Sequence, residues 1–261
     1  MWTNVFLACA FFAIHVASHM QLVYPAPFNA SNNPYRTTSA DPYLQYPYNC
    51  CGPNDRWEYP CRGYLSLLGT PQGEPTATWE AGSTQSWNIT GIGNHYGGSC
   101  QVGFSTDKGQ NFHVATSYEG NCPHRNNGDG PEGQEFNFTV PSDMDAGVQV
   151  FAWIWYNREQ EFNMNCAAVH PAGRLHHKRQ QTATTSASSS FVAYTDRPLM
   201  LVADDGNGCL TPKSTAEVKY PDPGPDVVLG DGLYPLELPS GNCSGTGTQA
   251  YDGSAGNDGH Q

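Results

Sequence analysis

"VQVFAWIWYN", Val148–Asn157, decides how this chain folds. From Val150 to Trp155 every residue is apolar, so neither face of an extended segment here suits water. Such a run, rich in β-branched and aromatic side chains, predicts a central strand rather than a half-wet one.

Similar runs flank it. "TQSWNIT" (84–90), "SCQVGFST" (99–106), "FHVATSYE" (112–119) and "EFNFTV" (135–140) are strand-like, separated by Gly, Asn, Asp and Pro clusters. In "EFNFTV", Phe136, Phe138 and Val140 share one face while Asn137 and Thr139 take the other, the period of a half-buried strand. "FVAYTDRPLMLVA" (191–203) returns to strand character, and "VKYPDPGPDVV" (218–228) is kept extended by its prolines. The Pro- and Tyr-rich segment 32–73 predicts turns or short helices pinned by Cys50, Cys51 and Cys61. Composition agrees. Gly 28, Pro 20, 14% charged and 12% aromatic residues in 261 favour short strands joined by turns. The expectation is an all-β domain with long loops.

The ends differ from the middle. "VFLACAFFAIHVA" is apolar and too short to span a bilayer, and Val16 and Ser18 stand where a signal peptidase needs small residues. Residues 1–18 therefore read as a secretory signal peptide. Residues 19–170 form the β domain, and 171–190, including "RLHHKRQQTATTSASSS", a polar insertion. Residues 191–239 are read as an extension packed on the core, and 240–261 as a tail without the hydrophobic end of a lipid anchor. Secretion removes Cys9 from the nine cysteines and leaves eight: Cys50, Cys51, Cys61, Cys100, Cys122, Cys166, Cys209 and Cys243. An even number in a secreted chain predicts disulfides. Sequons at Asn29, Asn88 and Asn137 fit glycosylation outside the cell, as does a fourth at Asn242 with a cysteine inside it. A net charge of −12 excludes nucleic acid and anionic membrane as partners. A neutral or cationic polysaccharide meets no such objection.

Cleavage after Ser18 makes His19 the first residue. Its free α-amine and its imidazole would then chelate one metal ion, and a further imidazole would complete three nitrogens. That ligand set, with open tetragonal positions, suits Cu(II). The amine, with a free pKa of about 7.7–8, gives up its proton readily near neutral pH. His95, in the glycine-rich "GIGNHYGGSC", is the best candidate for the third nitrogen. His113 sits in a strand-like run as a packed residue, His124 follows Cys122 in a turn, His170 precedes a proline, and His176 and His177 fall in the polar insertion.

These residues carry a resemblance. "HMQLVYPAPF", "YPCRGYLSLLGTPQG", "HYGGSCQVGFSTD", "SYEGNCP" and "WIWYNREQEFNMNCAAV" come in the order found in secreted fungal lytic polysaccharide monooxygenases of auxiliary activity family eleven, which act on chitin. The resemblance covers about residues 19–170, and "RPLMLVADDGNGC" with "YPDPGPDVV" resembles an extension of some members. It implies a disulfide-stapled, immunoglobulin-like or fibronectin-III-like β-sandwich, with one mononuclear copper held by His19 and His95. Glu161 matches a carboxylate beside the metal. The family's axial tyrosine is replaced by Asn163, with Phe162 beside it, and a one-residue bulge would instead set Phe162 over the copper. Pairings Cys61–Cys166 and Cys100–Cys122 are implied, leaving Cys50 and Cys51 to reach Cys209 and Cys243.

The implied function is oxidative cleavage of β-1,4-glycans, chitin above all, by a secreted monomer using an external electron donor and O2 or H2O2. The alternatives are a non-enzymatic copper-binding protein with the same histidine pair, and a carbohydrate-binding sandwich without redox chemistry. Trp153 and Trp155 are expected in the core. Tyr96 and the tyrosines of "YLQYPY" are surface candidates for stacking on sugar rings. Mass spectrometry of the secreted protein is expected to find His19 at its N-terminus; any other start removes the amine from the ligand set.

Overall fold

The structure, a computed structural model, describes residues 19–50, 56–172 and 192–243. The expected signal peptide, most of the polar insertion with His176 and His177, and the end of the tail lie outside the described residues. Among the described residues no helix is long and apolar enough to cross a membrane.

The strands in chain order are β1 (Met20–Tyr24), β2 (Ala77–Glu80), β3 (Thr84–Gly91), β4 (Ser99–Ser105), β5 (His113–Glu119) and β6 (Glu135–Thr139). They continue with β7 (Gln149–Tyr156), β8 (Phe162–Ala172), β9 (Cys209–Leu210), β10 (Glu217–Val218), β11 (Val227–Leu229), β12 (Leu236–Glu237) and β13 (Ser240–Gly241). A three-stranded sheet in the order β1-β3-β6 faces a six-stranded sheet in the order β11-β5-β4-β7-β8-β2. This is a β-sandwich. The four strand-like runs and the central run of the sequence become β3, β4, β5, β6 and β7 within a residue or two.

β7 lies between β4 and β8, and its alternation explains the apolar run. Phe151, Trp153 and Trp155 point toward the small sheet and share one core with Trp87, Phe136 and Met20. Val150, Ala152, Ile154 and Tyr156 point the other way, into a second core closed by loops and the C-terminal segment. Phe28, Tyr48, Met200, Val218 and Tyr220 belong to that second core. In β6 the half-buried reading holds: Phe136 and Phe138 are buried and Asn137 is exposed.

Three expectations are corrected. Of the run 191–203, the described residues 192–203 do not form a strand. Described from Val192, they give a short 3-10 turn at Tyr194–Asp196 and an extended run with one bridge, His113 to Leu199. The Tyr194 hydroxyl reaches into the sheet and accepts from Phe104 N at 2.6 Å, while two main-chain bonds, Val114 N to Pro198 O at 2.9 Å and Met200 N to Phe112 O at 2.8 Å, hold the segment beside β5 over too short a stretch to make a strand. Second, β8 runs through Pro171 and Ala172, so the insertion begins later than position 171. Third, Cys209 pairs with Cys243, with Cα atoms 4.8 Å apart. β13 lies antiparallel on β9, Gly241 opposite Cys209, and this brings Cys243 back over Cys209. Cys50 is also disulfide-bonded, but to neither of these. The implied pairs Cys61–Cys166 and Cys100–Cys122 are present, with Cα separations of 5.4 and 5.7 Å.

Trp79 ties the two sheets together. Its ring meets Phe104 and Phe151 of the large sheet and Phe138 of the small one, edge to face, at 5.3–6.1 Å. Trp79→Ala is expected to cost about 3–5 kcal/mol in urea unfolding of the metal-free protein, with the cavity spanning both layers.

Candidate metal centre

His19 stands just before β1, and its carbonyl accepts a hydrogen bond from Ile92 N at 2.9 Å. This fastens the start of β1 to the loop that leaves β3. That loop presents His95. Both His95 and Tyr96 adopt positive φ, 48° and 54°, which bulky residues avoid. The conformation persists because Asn94 over-determines it. Buried Asn94 donates through Nδ2 to the carbonyls of His124 at 2.8 Å and Gly130 at 2.9 Å, and its Oδ1 accepts from Tyr96 N at 2.8 Å.

The result brings the two predicted ligands together. The rings of His19 and His95 have centroids 6.1 Å apart. Two imidazoles on opposite sides of one ion stand about 6 Å apart, given metal–nitrogen bonds of about 2 Å. His95 Nε2 is buried with no hydrogen-bond partner, as are both polar atoms of Asn163. An unsatisfied buried polar atom costs about 1–3 kcal/mol, a cost that a ligand bound at His95 Nε2 would remove. Among the described residues no three His, Cys, Asp or Glu side chains converge. A metal bound here would draw on these two imidazoles and on donors other than a third such side chain, and cleavage after Ser18 would add the amine of His19 to them. The residues present fit a copper ion on those terms.

The surroundings are specific. Glu161 Oε2 lies 3.6 Å from His95 Nε2. Asn157 Nδ2 donates to the same carboxylate oxygen, and Asn157 Oδ1 accepts from Glu161 N at 3.2 Å. The turn from β7 to β8 thus folds on Asn157 and aims Glu161 at the histidine. The Trp155 ring is 5.7 Å from His95, and the Tyr46 ring is 4.3 Å from His19.

Register places the two residues beside each other in the sequence on opposite faces. β7 and β8 pair without a shift from Gln149↔Val169 to Tyr156↔Phe162. No bulge interrupts them, so Phe162 is not at the histidines. It is buried in the second core against Tyr48, Tyr59 and Tyr156 at 4.9–6.0 Å. Asn163 pairs with Trp155 on the other face, the face on which Asn165 accepts from Leu22 N of β1 at 2.8 Å.

Among the described residues, the other histidines have different surroundings. His113 Nδ1 is 2.7 Å from the Arg197 carbonyl, and His124 stacks on Phe136 at 4.3 Å. His170 lies near the far end of β8, opposite Thr78. Of the "YLQYPY" tyrosines, Tyr43 is exposed, Tyr46 is half-buried on His19, and Tyr48 is buried, so Tyr48 leaves the set of stacking candidates. Tyr96 is 51% exposed beside His95. Asn94 was not legible as a site residue, and Tyr46, expected among the sugar-stacking tyrosines, packs instead on His19. The only signal for Asn94 is adjacency to His95.

His95→Ala is expected to weaken Cu(II) binding and change the Cu(II) electron paramagnetic resonance spectrum while leaving the thermal midpoint within a few degrees. His113→Ala should lower the midpoint and leave the spectrum alone. The reverse pattern would assign the metal to the wrong histidine.

No family model matches the chain. It is 36% identical over 198 residues to AA11 family lytic polysaccharide monooxygenase A of Aspergillus fumigatus, covering 75% of this chain and 78% of that protein. It is 32% identical to AA11 family lytic polysaccharide monooxygenase B of the same species, over 92% of this chain and 56% of that protein. An AA11 enzyme of Aspergillus oryzae is 29% identical over 97% of this chain and 58% of its own length. The chain thus spans little more than half the length of the last two. Among solved structures, a lytic polysaccharide monooxygenase AA15 from Thermobia domestica aligns with a TM-score of 0.40 at 15% identity, over 59% of this chain and 98% of that one. The extent and identity of the first match decide the assignment: the chain belongs to the AA11 family of lytic polysaccharide monooxygenases, copper-dependent oxidoreductases.

Proposed function

We propose that the mature protein is secreted, begins at His19, holds one copper ion between His19 and His95, and oxidatively cleaves a β-1,4-linked glycan, most specifically chitin. The observation that carries this reading is the pairing of His19 with a buried, unpartnered Nε2 of His95, with Glu161 Oε2 3.6 Å from that nitrogen. Bound copper supplies one-electron chemistry toward O2 or H2O2 once an external donor has reduced it.

The chain's own residues do the rest. His19 gives its imidazole and its amine, and the Tyr46 ring packed on it limits its rotation. His95 gives Nε2, held by the Asn94 lock on the loop. Glu161 is placed to accept or return a proton at Oε2, and Asn157 keeps that oxygen oriented. Asn163 offers a neutral amide where the family has a phenol. Trp155 and the small sheet exclude water beneath the histidines. At the surface, Tyr43, Tyr96 and Ile92 are exposed and offer flat or apolar contact for sugar rings. An acidic protein of net charge −12 also suits a substrate carrying some free amines, such as partly deacetylated chitin. N-glycans are proposed at Asn29, Asn88 and Asn137, and the working unit is a monomer.

Incubation of the copper-loaded protein with β-chitin and ascorbate is expected to release oxidised oligosaccharides, with none when ascorbate is omitted and none from His95→Ala. Stoichiometric copper binding without oligosaccharide release from any β-1,4-glycan would favour a copper-binding protein without turnover. Asn163 is the residue that makes that second reading specific.

A further inference from the structure

The C-terminal segment reaches both loops that frame the histidines. Glu217, in β10, is 1% exposed, and one oxygen of its carboxylate serves three donors. Oε1 accepts from Gly98 N at 2.9 Å, from Asn121 N at 3.0 Å and from Arg125 Nη1 at 2.5 Å. The same Arg125 Nη1 donates to the Tyr96 carbonyl at 2.9 Å. The peptides just after His95 are therefore gripped on a donor by Glu217 and on an acceptor by Arg125. There is no slack: a Cβ on Gly97 would come 2.2 Å from Arg125 Nη1 and 2.6 Å from Glu217 Oε1.

The same segment holds the turn that carries Glu161. Gln160 Nε2 donates to the Thr211 carbonyl at 2.6 Å, and Ser214 N donates to the Arg158 carbonyl at 2.6 Å. The guanidinium groups of Arg125 and Arg158 both lie over the Tyr234 ring, at 4.9 and 3.5 Å. A buried ion pair contributes little to stability compared with a well-packed apolar pair, because both charges are desolvated. What it adds is direction, and here its direction is spent on the backbone next to His95.

We propose that Glu217 is a positioning residue for the metal centre. Through Arg125 and the Gly98 amide it fixes the Tyr96–Gly98 backbone, and so fixes where His95 Nε2 points. This rests on the copper reading of His19 and His95 given above. The C-terminal segment is then part of the site's machinery.

The test compares wild type, Glu217→Ala, Glu217→Gln, His95→Ala and the core variant Val150→Ala. Three measurements are made: Cu(II) affinity by competition with a chelator, the Cu(II) electron paramagnetic resonance spectrum, and amide hydrogen exchange of the metal-free protein. Glu217→Ala is expected to weaken Cu(II) binding about tenfold, shift the spectrum, and speed exchange in residues 94–98 at least tenfold. Glu217→Gln keeps an acceptor oxygen for Gly98 and should recover part of each effect. Val150→Ala should lower the thermal midpoint yet keep the wild-type spectrum, which separates positioning from general loss of stability. If His95→Ala moves the spectrum and neither Glu217 variant does, this proposal falls and the copper reading stands. If wild type and His95→Ala give the same spectrum, the copper reading falls and takes this proposal with it. Should Glu217→Ala not fold, Glu217→Gln decides by the same criteria. Failure of both to fold would make Glu217 a folding residue and also overturn the proposal.

Discussion

The unbroken pairing of β7 with β8 is the constraint on which the rest of this molecule depends. Strand side chains alternate between faces, so a register without a bulge sorts every residue of both strands into one of two cores. Trp155 and the Asn163 opposite it share the small-sheet face, where Trp155 meets His95, while Tyr156 and Phe162 fall toward the loops and the C-terminal segment. A single extra residue at the start of β8 would exchange the faces of Phe162 and Asn163. The apolar phenylalanine would then sit on the face of Trp155 and the amide in the second core. The Cys61–Cys166 link lies on β8 as well and ties the long N-terminal excursion to that second core.

At one end of this rigid frame the structure gathers polar groups that the core cannot satisfy. His95 Nε2 and the Asn163 amide are buried without partners, and the loop bearing His95 holds two bulky residues at positive φ. Such features cost stability and persist only where other contacts over-determine them. Asn94 supplies that over-determination from one side, and Glu217 with Arg125 from the other. The histidine pair is thus carried on loops but is held by buried polar contacts of the scaffold, an arrangement suited to keeping side-chain geometry constant.

The C-terminal segment is woven into the sandwich. β11 adds to the large sheet beside β5, Met200 and Tyr220 fill the second core, and Tyr194 bonds into the β4–β5 ladder. Much of it is extended without a partner strand, which is why its apolar residues read as a strand in sequence. The hydroxyls of Tyr194 and Tyr156 take up backbone groups that a ladder would otherwise have satisfied.

The sequence by itself determined the β class, the central place of Val148–Asn157, the alternation of β6, and the pairing of His19 with His95 as candidates. These are local signals: period, apolar runs, turn residues, and a histidine after an apolar leader. The pairs Cys61–Cys166 and Cys100–Cys122 came only from the resemblance to a known family, and the structure contains them. The tertiary structure alone decided which face Phe162 and Asn163 occupy, because register is a property of two strands and not of one. It alone closed Cys209 on Cys243, since the β9–β13 ladder brings together residues whose spacing says nothing of their contact. And it alone placed Tyr46 on His19 and Glu217 behind His95. Those contacts join distant parts of the chain, and burial of polar groups against a specific partner leaves no periodic trace in the sequence.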